Sequence, residues 1–483
     1  MPDSQWTVLL LASAFLVRVV AAMGSAIFGT DSCHYLLMAD WMRAGRLQEA
    51  LAIAYHPFYP LLIAAMRTFT GSTEQAGTAV SVLVGAAAVI PLFHMVRSVF
   101  GRPAGVLASL LYAFHPILIE VQSDVMTEGT FLFFLFGSMW LTWRVMEEPS
   151  LARAAVLGAA AAAAFLTRPE GLLALALAVA WPALEAIRRR NGWARRLGGL
   201  GATVAVAALL AFPYLLWVKS ERGHWALSPK PSVMSAEKAV VGLGGDPGDE
   251  TGSSERARLY RIYAVSLYHQ SYYGLLVPFT LLGLWRLGEV GARRALFYLS
   301  FPLGHLGGIL FTLRSHNFMS ERYVLAGTLL LGGLAAYGMV IVLRAAAVRW
   351  PESPLRPALC SALLFLLLAV PTLLAFKVRR TEYLGFPVAA QGILARDPHP
   401  GTVGGIEQVS YLCGSRSYYL PATREGLDQF VADKELRYIV YSDRDVQKRP
   451  DYVGMLRSWD RLEAPREYSG PPGAWKVYVQ RVR

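Results

Sequence analysis

A series of apolar runs limits the fold of this chain more than any other feature, because each is close to the ~20 residues that cross a bilayer as a helix. They fall at 6–28, 75–97, 104–120, 127–146, 152–167, 170–187, 197–218, 271–287, 294–313, 322–343 and 357–377, about eleven in all. With 54% hydrophobic and 17% charged residues among 483, the composition excludes a soluble globular protein and predicts a polytopic α-helical membrane protein. The opening MPDSQW lacks the basic region of a cleavable signal peptide, so the first run is expected to stay as an anchor.

The formal charge of +12 is spread over short loops instead of one basic patch, a pattern that orients a membrane protein and argues against a nucleic-acid partner. Arginine-rich loops at 100–103, 143–153, 188–196, 285–294 and 344–356 all fall on one side, which the positive-inside rule makes cytoplasmic. The other side receives the loop 29–74, the turn at 120–127, LTRPEG, the segment 219–270, RSHNFMSER and everything from 378. Residues 1–377 are thus expected to form the membrane domain. The Gly- and Ser-rich part of 219–270 is expected to be a mobile outer loop.

The tail 378–483 is polar and mixed. RYIVYSD and WKVYVQRV alternate like strands, and TREGLDQFVADKEL has helical spacing with Thr423 placed as its N-cap, which predicts a small outer α/β domain. Three cysteines give neither a disulfide framework nor a metal-ligand spacing; a Cys33–Cys413 bridge is compatible with the sequence but not required by it. No internal repeat marks an inverted-repeat transporter.

The outer loops carry the chemistry. Asp31, with His34 and Tyr35 beside it, is either a general base or an interfacial cap for the helix that follows. HPFYPLLIAAMRTFTG predicts a short helix lying along the interface, with His56 and Tyr59 at the depth of a lipid phosphate; the alternative is a re-entrant turn shaped by Pro57 and Pro60. Asp124 and Glu128 are spaced to share a helix face, where they would bind an acceptor, a divalent ion or an arginine. Arg168 in LTRPEG and Arg322 in SERYVL suit a phosphate, or an ion pair with Glu170 and Glu321. Arg258, Arg261, Tyr268 and His269 precede another run and serve either packing or phosphate and sugar contact. Arg18, inside the first run, needs a partner, and an outer-loop carboxylate is one candidate.

The early loop aspartate, the HPFYPLL stretch, VMTE, LTRPEG, SERY and the polar tail, in this order and on one side, resemble the GT-C membrane glycosyltransferases. Within them the chain is similar to the bacterial members of family 39, the protein mannosyltransferases and lipid A aminoarabinose transferases. The resemblance covers roughly residues 6–345 and implies the GT-C fold. It also implies a reaction: an inverting transfer of a sugar from a polyprenyl-phosphate donor to an acceptor hydroxyl of a glycolipid, polysaccharide or protein. The place implied is the outer, periplasmic face of the bacterial inner membrane.

Carried over to this chain, the family's catalytic base is Asp31, His56 matches a basic position near the donor phosphate, and Arg168 and Arg322 match recurrent arginines of the family and are donor-phosphate candidates. Tyr59, Arg258 and Arg261 are further donor candidates. His34, Tyr35, Asp124, Glu128, Glu170, Tyr268, His269 and Glu321 are candidates for acceptor or sugar contact. Family members often have a second acid after the aspartate; Ser32 stands here, which favours a mechanism that requires no metal. A lipid-linked saccharide flippase and a non-catalytic envelope scaffold are the alternatives.

Overall fold

The computed structural model describes residues 2–189, 192–228, 249–316, 320–350, 355–418 and 420–483. Most of the apolar runs become helices, since in lipid every backbone N–H and C=O must be satisfied within the segment. In chain order these are α1 (Asp3–Met23), α2 (Thr30–Arg43), α3 (Leu47–Leu51), α4 (Phe58–Met66), α5 (Thr73–Ala87), α6 (Val89–Phe100), α7 (Arg102–Ala113), α8 (Pro116–Gln122) and α9 (Glu128–Glu147). They continue with α10 (Leu151–Thr167), α11 (Leu172–Arg188), α12 (Trp193–Arg222), α13 (Asp249–Gln270), α14 (Val277–Trp285), α15 (Ala292–His316), α16 (Leu325–Arg349) and α17 (Leu355–Ala375).

Among the described residues, five helices are long and apolar enough to cross a membrane, and a sixth span results if α7 and α8 are one bent segment. That pair turns by 58° where Pro116 follows His115, because proline removes a helical donor. The run at 271–287 is helical in regular form only from Val277 to Trp285, nine residues. Tyr272 and Tyr273 before it sit at left-handed φ, which breaks the helix away from α13. The expected outer loop is also corrected in part: from Asp249 it is helix α13, while residues 229–248 lie outside the described chain.

The main core gathers side chains from α1, α6, α7, α9, α15 and α16, with Phe93, Phe136, Tyr298 and Phe301 fully buried. Small residues allow the closest crossing: a Cβ on Gly283 would lie 2.2 Å from the Leu334 carbonyl oxygen, and one on Gly338 2.0 Å from that of Phe279. Arg18 finds neutral partners instead of the expected carboxylate. Its Nε donates to Gln122 Oε1 at 2.6 Å and its Nη1 to the Ala14 carbonyl at 2.8 Å, with the guanidinium over the Tyr112 ring.

After α17 the chain forms α18 (Gly385–Leu394), β1 (Thr402–Gly405), α19 (Glu407–Leu412), α20 (Arg424–Lys434), β2 (Leu436–Ser442), α21 (Asp443–Lys448), α22 (Pro450–Arg457), β3 (Arg466–Tyr468) and β4 (Val477–Arg481). The sheet order is β1-β2-β4-β3, with β1 parallel to β2 and both other pairings antiparallel. Thr423 caps α20 by accepting from the Gly426 amide. Cys33 and Cys413 are both buried free thiols, so they form no bridge.

This C-terminal unit rests on the 29–74 loop. Tyr411 Oη donates to Glu74 Oε1 at 2.8 Å, and the Tyr411 ring meets Phe28 edge-on at 5.3 Å. Thr73 Oγ1 donates to Asp40 Oδ1 at 2.6 Å; burial nevertheless leaves the Asp40 carboxyl above its ordinary range.

Candidate active site

Asp31 lies in the first turn of α2, and the N-cap position belongs to Gly29, with no side chain capping the helix. The cap reading of Asp31 is therefore corrected. Its side chain is 39% exposed and lines a cavity of about 480 Å³. Arg322, in the single turn Glu321–Val324 that precedes α16, brings Nη2 to 2.5 Å from Asp31 Oδ2 and Nη1 to 3.3 Å from Glu128 Oε1.

Glu128 opens α9, where its carboxylate also complements the positive end of the helix. The same Oε1 accepts from Arg168 Nη1 at 3.0 Å, and Arg168 Nη2 reaches Glu170 Oε1 at 2.9 Å. Arg168 can do this because it is extended, at φ −151° and ψ 143°, in the break between α10 and the turn Pro169–Gly171. Asp31, Arg322, Glu128, Arg168 and Glu170 thus form a line of alternating charge. The space among its inner members is about 10 Å³, room for about one water. Burial works against the charge of Arg168; Glu170 and Glu128 more than offset that and hold its guanidinium well above the usual range. The Phe131 and Tyr323 rings pack against it at 5.7 and 5.6 Å.

Asp124 and Glu128 do not share a helix face as the spacing suggested. α8 ends at Gln122 and α9 begins at Glu128, so the intervening turn sends the two carboxylates to different arginines. Asp124 Oδ2 meets Arg380 Nη2 at 2.5 Å, and its Oδ1 accepts from the Val125 amide at 2.8 Å. Arg380 sits at φ +61°, a left-handed conformation that costs a non-glycine residue about 1–3 kcal/mol, and its Nη1 donates to the Ile27 carbonyl. Asp31, Asp124, Arg322 and Arg380 line the one cavity together, with Gln270 and Glu321.

Other expected contacts are not brought there. Tyr59 is fully buried with Oη 2.6 Å from Ser81 Oγ, and Tyr35 is buried against Tyr55 and Tyr59, so both are core residues. His34 stacks on Tyr55 at 5.1 Å. His56 is buried against Phe165 and Tyr214 and does not line the Asp31 cavity. Arg258 and Arg261 are exposed on α13, and Tyr268 and His269 pack on each other near its end; the cavity takes Gln270 from that helix instead.

Arg380 escaped the sequence reading. A signal for it exists: Lys377, Arg379 and Arg380 follow the last apolar run on the side expected from the sequence to be outer, where the positive-inside rule disfavours such a cluster. Basic residues there need carboxylate or carbonyl partners, and Arg379 donates to the Glu120 and Ala21 carbonyls. Of the four carboxylates that line the cavity, Asp31 and Asp124 face the guanidiniums of Arg322 and Arg380, while Glu120 and Glu321 pair with neither.

In sequence, the dolichyl-phosphate-mannose-protein mannosyltransferase family matches residues 55–217. That stretch is about a third of the chain and leaves Asp31, Arg322 and Arg380 outside it. No curated protein matches. Among solved structures, ArnT from Cupriavidus metallidurans bound to undecaprenyl phosphate is 15% identical with a TM-score of 0.63, covering 99% of this chain and 98% of that one. The chain has the GT-C fold of membrane glycosyltransferases. ArnT in the apo state gives a TM-score of 0.62 at 16% identity, covering 99% of this chain and 98% of that one. The archaeal oligosaccharyltransferase AglB from Archaeoglobus fulgidus, in complex with an inhibitory peptide and a dolichol-phosphate, gives 0.59 at 12% identity over 98% of this chain and 74% of that one. These likenesses show a shared fold, and among the described residues five of the helices are long and apolar enough to cross a membrane.

Proposed function

We propose that this GT-C protein transfers a sugar from a polyprenyl-phosphate carrier to an acceptor hydroxyl at the outer face of the bacterial inner membrane, with Asp31 as general base. The observation that carries this reading is a part-exposed carboxylate sharing one cavity with two guanidiniums, Arg322 and Arg380. A phosphate leaving group needs fixed positive charge, not a general acid, and two arginines supply it in a geometry that grips phosphate oxygens. The undecaprenyl phosphate and dolichol-phosphate bound in the similar structures support a carrier of this class.

A donor phosphate arriving in the cavity competes with Asp31 for Arg322. As the guanidinium turns to the phosphate, Asp31 is released to take the proton of the acceptor hydroxyl, whose oxygen attacks the anomeric carbon from the face opposite the phosphate. The C–O bond to the phosphate breaks with inversion, and the negative charge that develops there falls to Arg322 and Arg380. Glu128 and the buried Arg168–Glu170 pair hold Arg322 in place through this exchange. The test is sugar transfer by reconstituted Asp31→Asn protein: loss with normal folding supports the base, and retained transfer removes Asp31 from that role.

A further inference from the structure

The C-terminal unit contains a second cavity, of about 410 Å³, outside the carboxyl ends of β1 and β2. The ends of strands where the chain leaves a sheet are a common place for ligands in α/β units. Two residues, Thr30 and Tyr383, line both this crevice and the Asp31 cavity, so the two spaces adjoin at the start of α2. Gln408 ties the junction together, its Nε2 lying 3.4 Å from Thr30 Oγ1.

The walls carry a mixed chemistry. Tyr383 stacks on Phe386 at 5.1 Å and leans on Trp475 at 5.0 Å, giving a continuous aromatic surface. Arg444 places its guanidinium 5.3 Å from the Trp475 ring centroid, and Arg449 lies on the same crevice; neither is ion-paired with a carboxylate among the described residues. Two carboxylates, Glu407 and Asp445, also line the crevice, and Asp445 is committed to the chain itself, accepting from the Ser442 amide and hydroxyl at 2.8 Å each. Tyr452, also on the crevice, has a buried hydroxyl with no hydrogen-bond partner. A purely apolar occupant would leave that hydroxyl and both guanidiniums unanswered.

We propose that this crevice binds an anionic saccharide, one bearing a phosphate or a carboxylate, as the distal part of the acceptor. The rings would take the apolar face of a sugar, Tyr452 one of its hydroxyls, and Arg444 with Arg449 the anion. The acceptor role rests on the transferase reading; the binding itself does not.

The experiment uses the full chain in nanodiscs and ligand-observed saturation-transfer NMR with three probes: glucuronic acid, glucose 6-phosphate and glucose. At least one anionic sugar is expected to bind, about tenfold more tightly than glucose, and the stronger of the two identifies carboxylate or phosphate as the anion. Arg444→Ala and the conservative Tyr452→Phe should each weaken that binding, whereas Asp31→Asn should leave it unchanged. Equal binding of glucose, or binding indifferent to both crevice variants, would overturn the proposal. Sugar binding in a chain that transfers nothing would remove the acceptor role and leave the site; transfer without any sugar binding would remove the site and leave the transferase.

Discussion

Glu128 is shared by two arginines, and that sharing separates the effects of substitutions along the charged line. Arg168→Met leaves Glu128 and Glu170 buried without their common partner. Breaking a buried pair in this way costs about 3–5 kcal/mol, so the melting temperature in detergent should fall clearly. Asp31 is more exposed and lies at the end of the line. Asp31→Asn should instead lower turnover by roughly 10²–10⁴-fold, the range of a lost general base, with thermal stability close to wild type. If Arg168→Met melts normally, or Asp31→Asn unfolds the chain, those assignments exchange places. A third residue-level expectation concerns the thiols. Burial pushes the Cys413 thiol up to about 12, and the reactive thiolate is therefore scarce at pH 8. Maleimide should label Cys413 far more slowly in the folded chain than in the denatured one; equal rates would mean that this part of the C-terminal unit is open.

Between elements, the crossing of α14 and α16 is set by Gly283 and Gly338, which bring backbone against backbone. Gly338→Leu should force the helices apart and destabilise the protein, whereas Gly332, earlier on the same helix with nothing within 4 Å of an added Cβ, should accept alanine. Thermal unfolding of the two variants checks this directly, and equal effects would contradict the close crossing. The helices themselves were legible because hydrophobic length is a strong signal. Their breaks were less so. Nothing in the apolar run 271–287 announces that Tyr272 and Tyr273 adopt left-handed φ, and a Pro116 that bends α7 from α8 looks the same in sequence as one that starts a helix. The β-branched and aromatic content of RYIVYSD and WKVYVQRV did mark β2 and β4, although β2 is buried on both faces from Tyr438 to Ser442 and not on one.

At the scale of the molecule, the site joins residues from α2, from the starts of α9 and α16, and from the segment after the last apolar run. Asp31 and Arg322 stood out in sequence because ionisable residues at the ends of apolar runs demand a partner, but their pairing did not, since the sequence offered Arg322 its neighbour Glu321 instead. Tyr59 and Tyr35 could not be assigned, because an aromatic residue near an interface satisfies either packing or a ligand equally well in sequence. Arg380 was hidden for a different reason: its role depends on a left-handed backbone and on the fold of the C-terminal unit onto α1 and α2, neither of which leaves a local pattern. The measurement that tests the transferase reading most directly is mass spectrometry of envelope glycolipids and glycoproteins from cells with the wild-type protein, without it, and with Asp31→Asn in its place. A sugar-bearing species present with the wild type and missing in both other strains is the expected result. Full restoration of that species by the Asp31→Asn protein would contradict it.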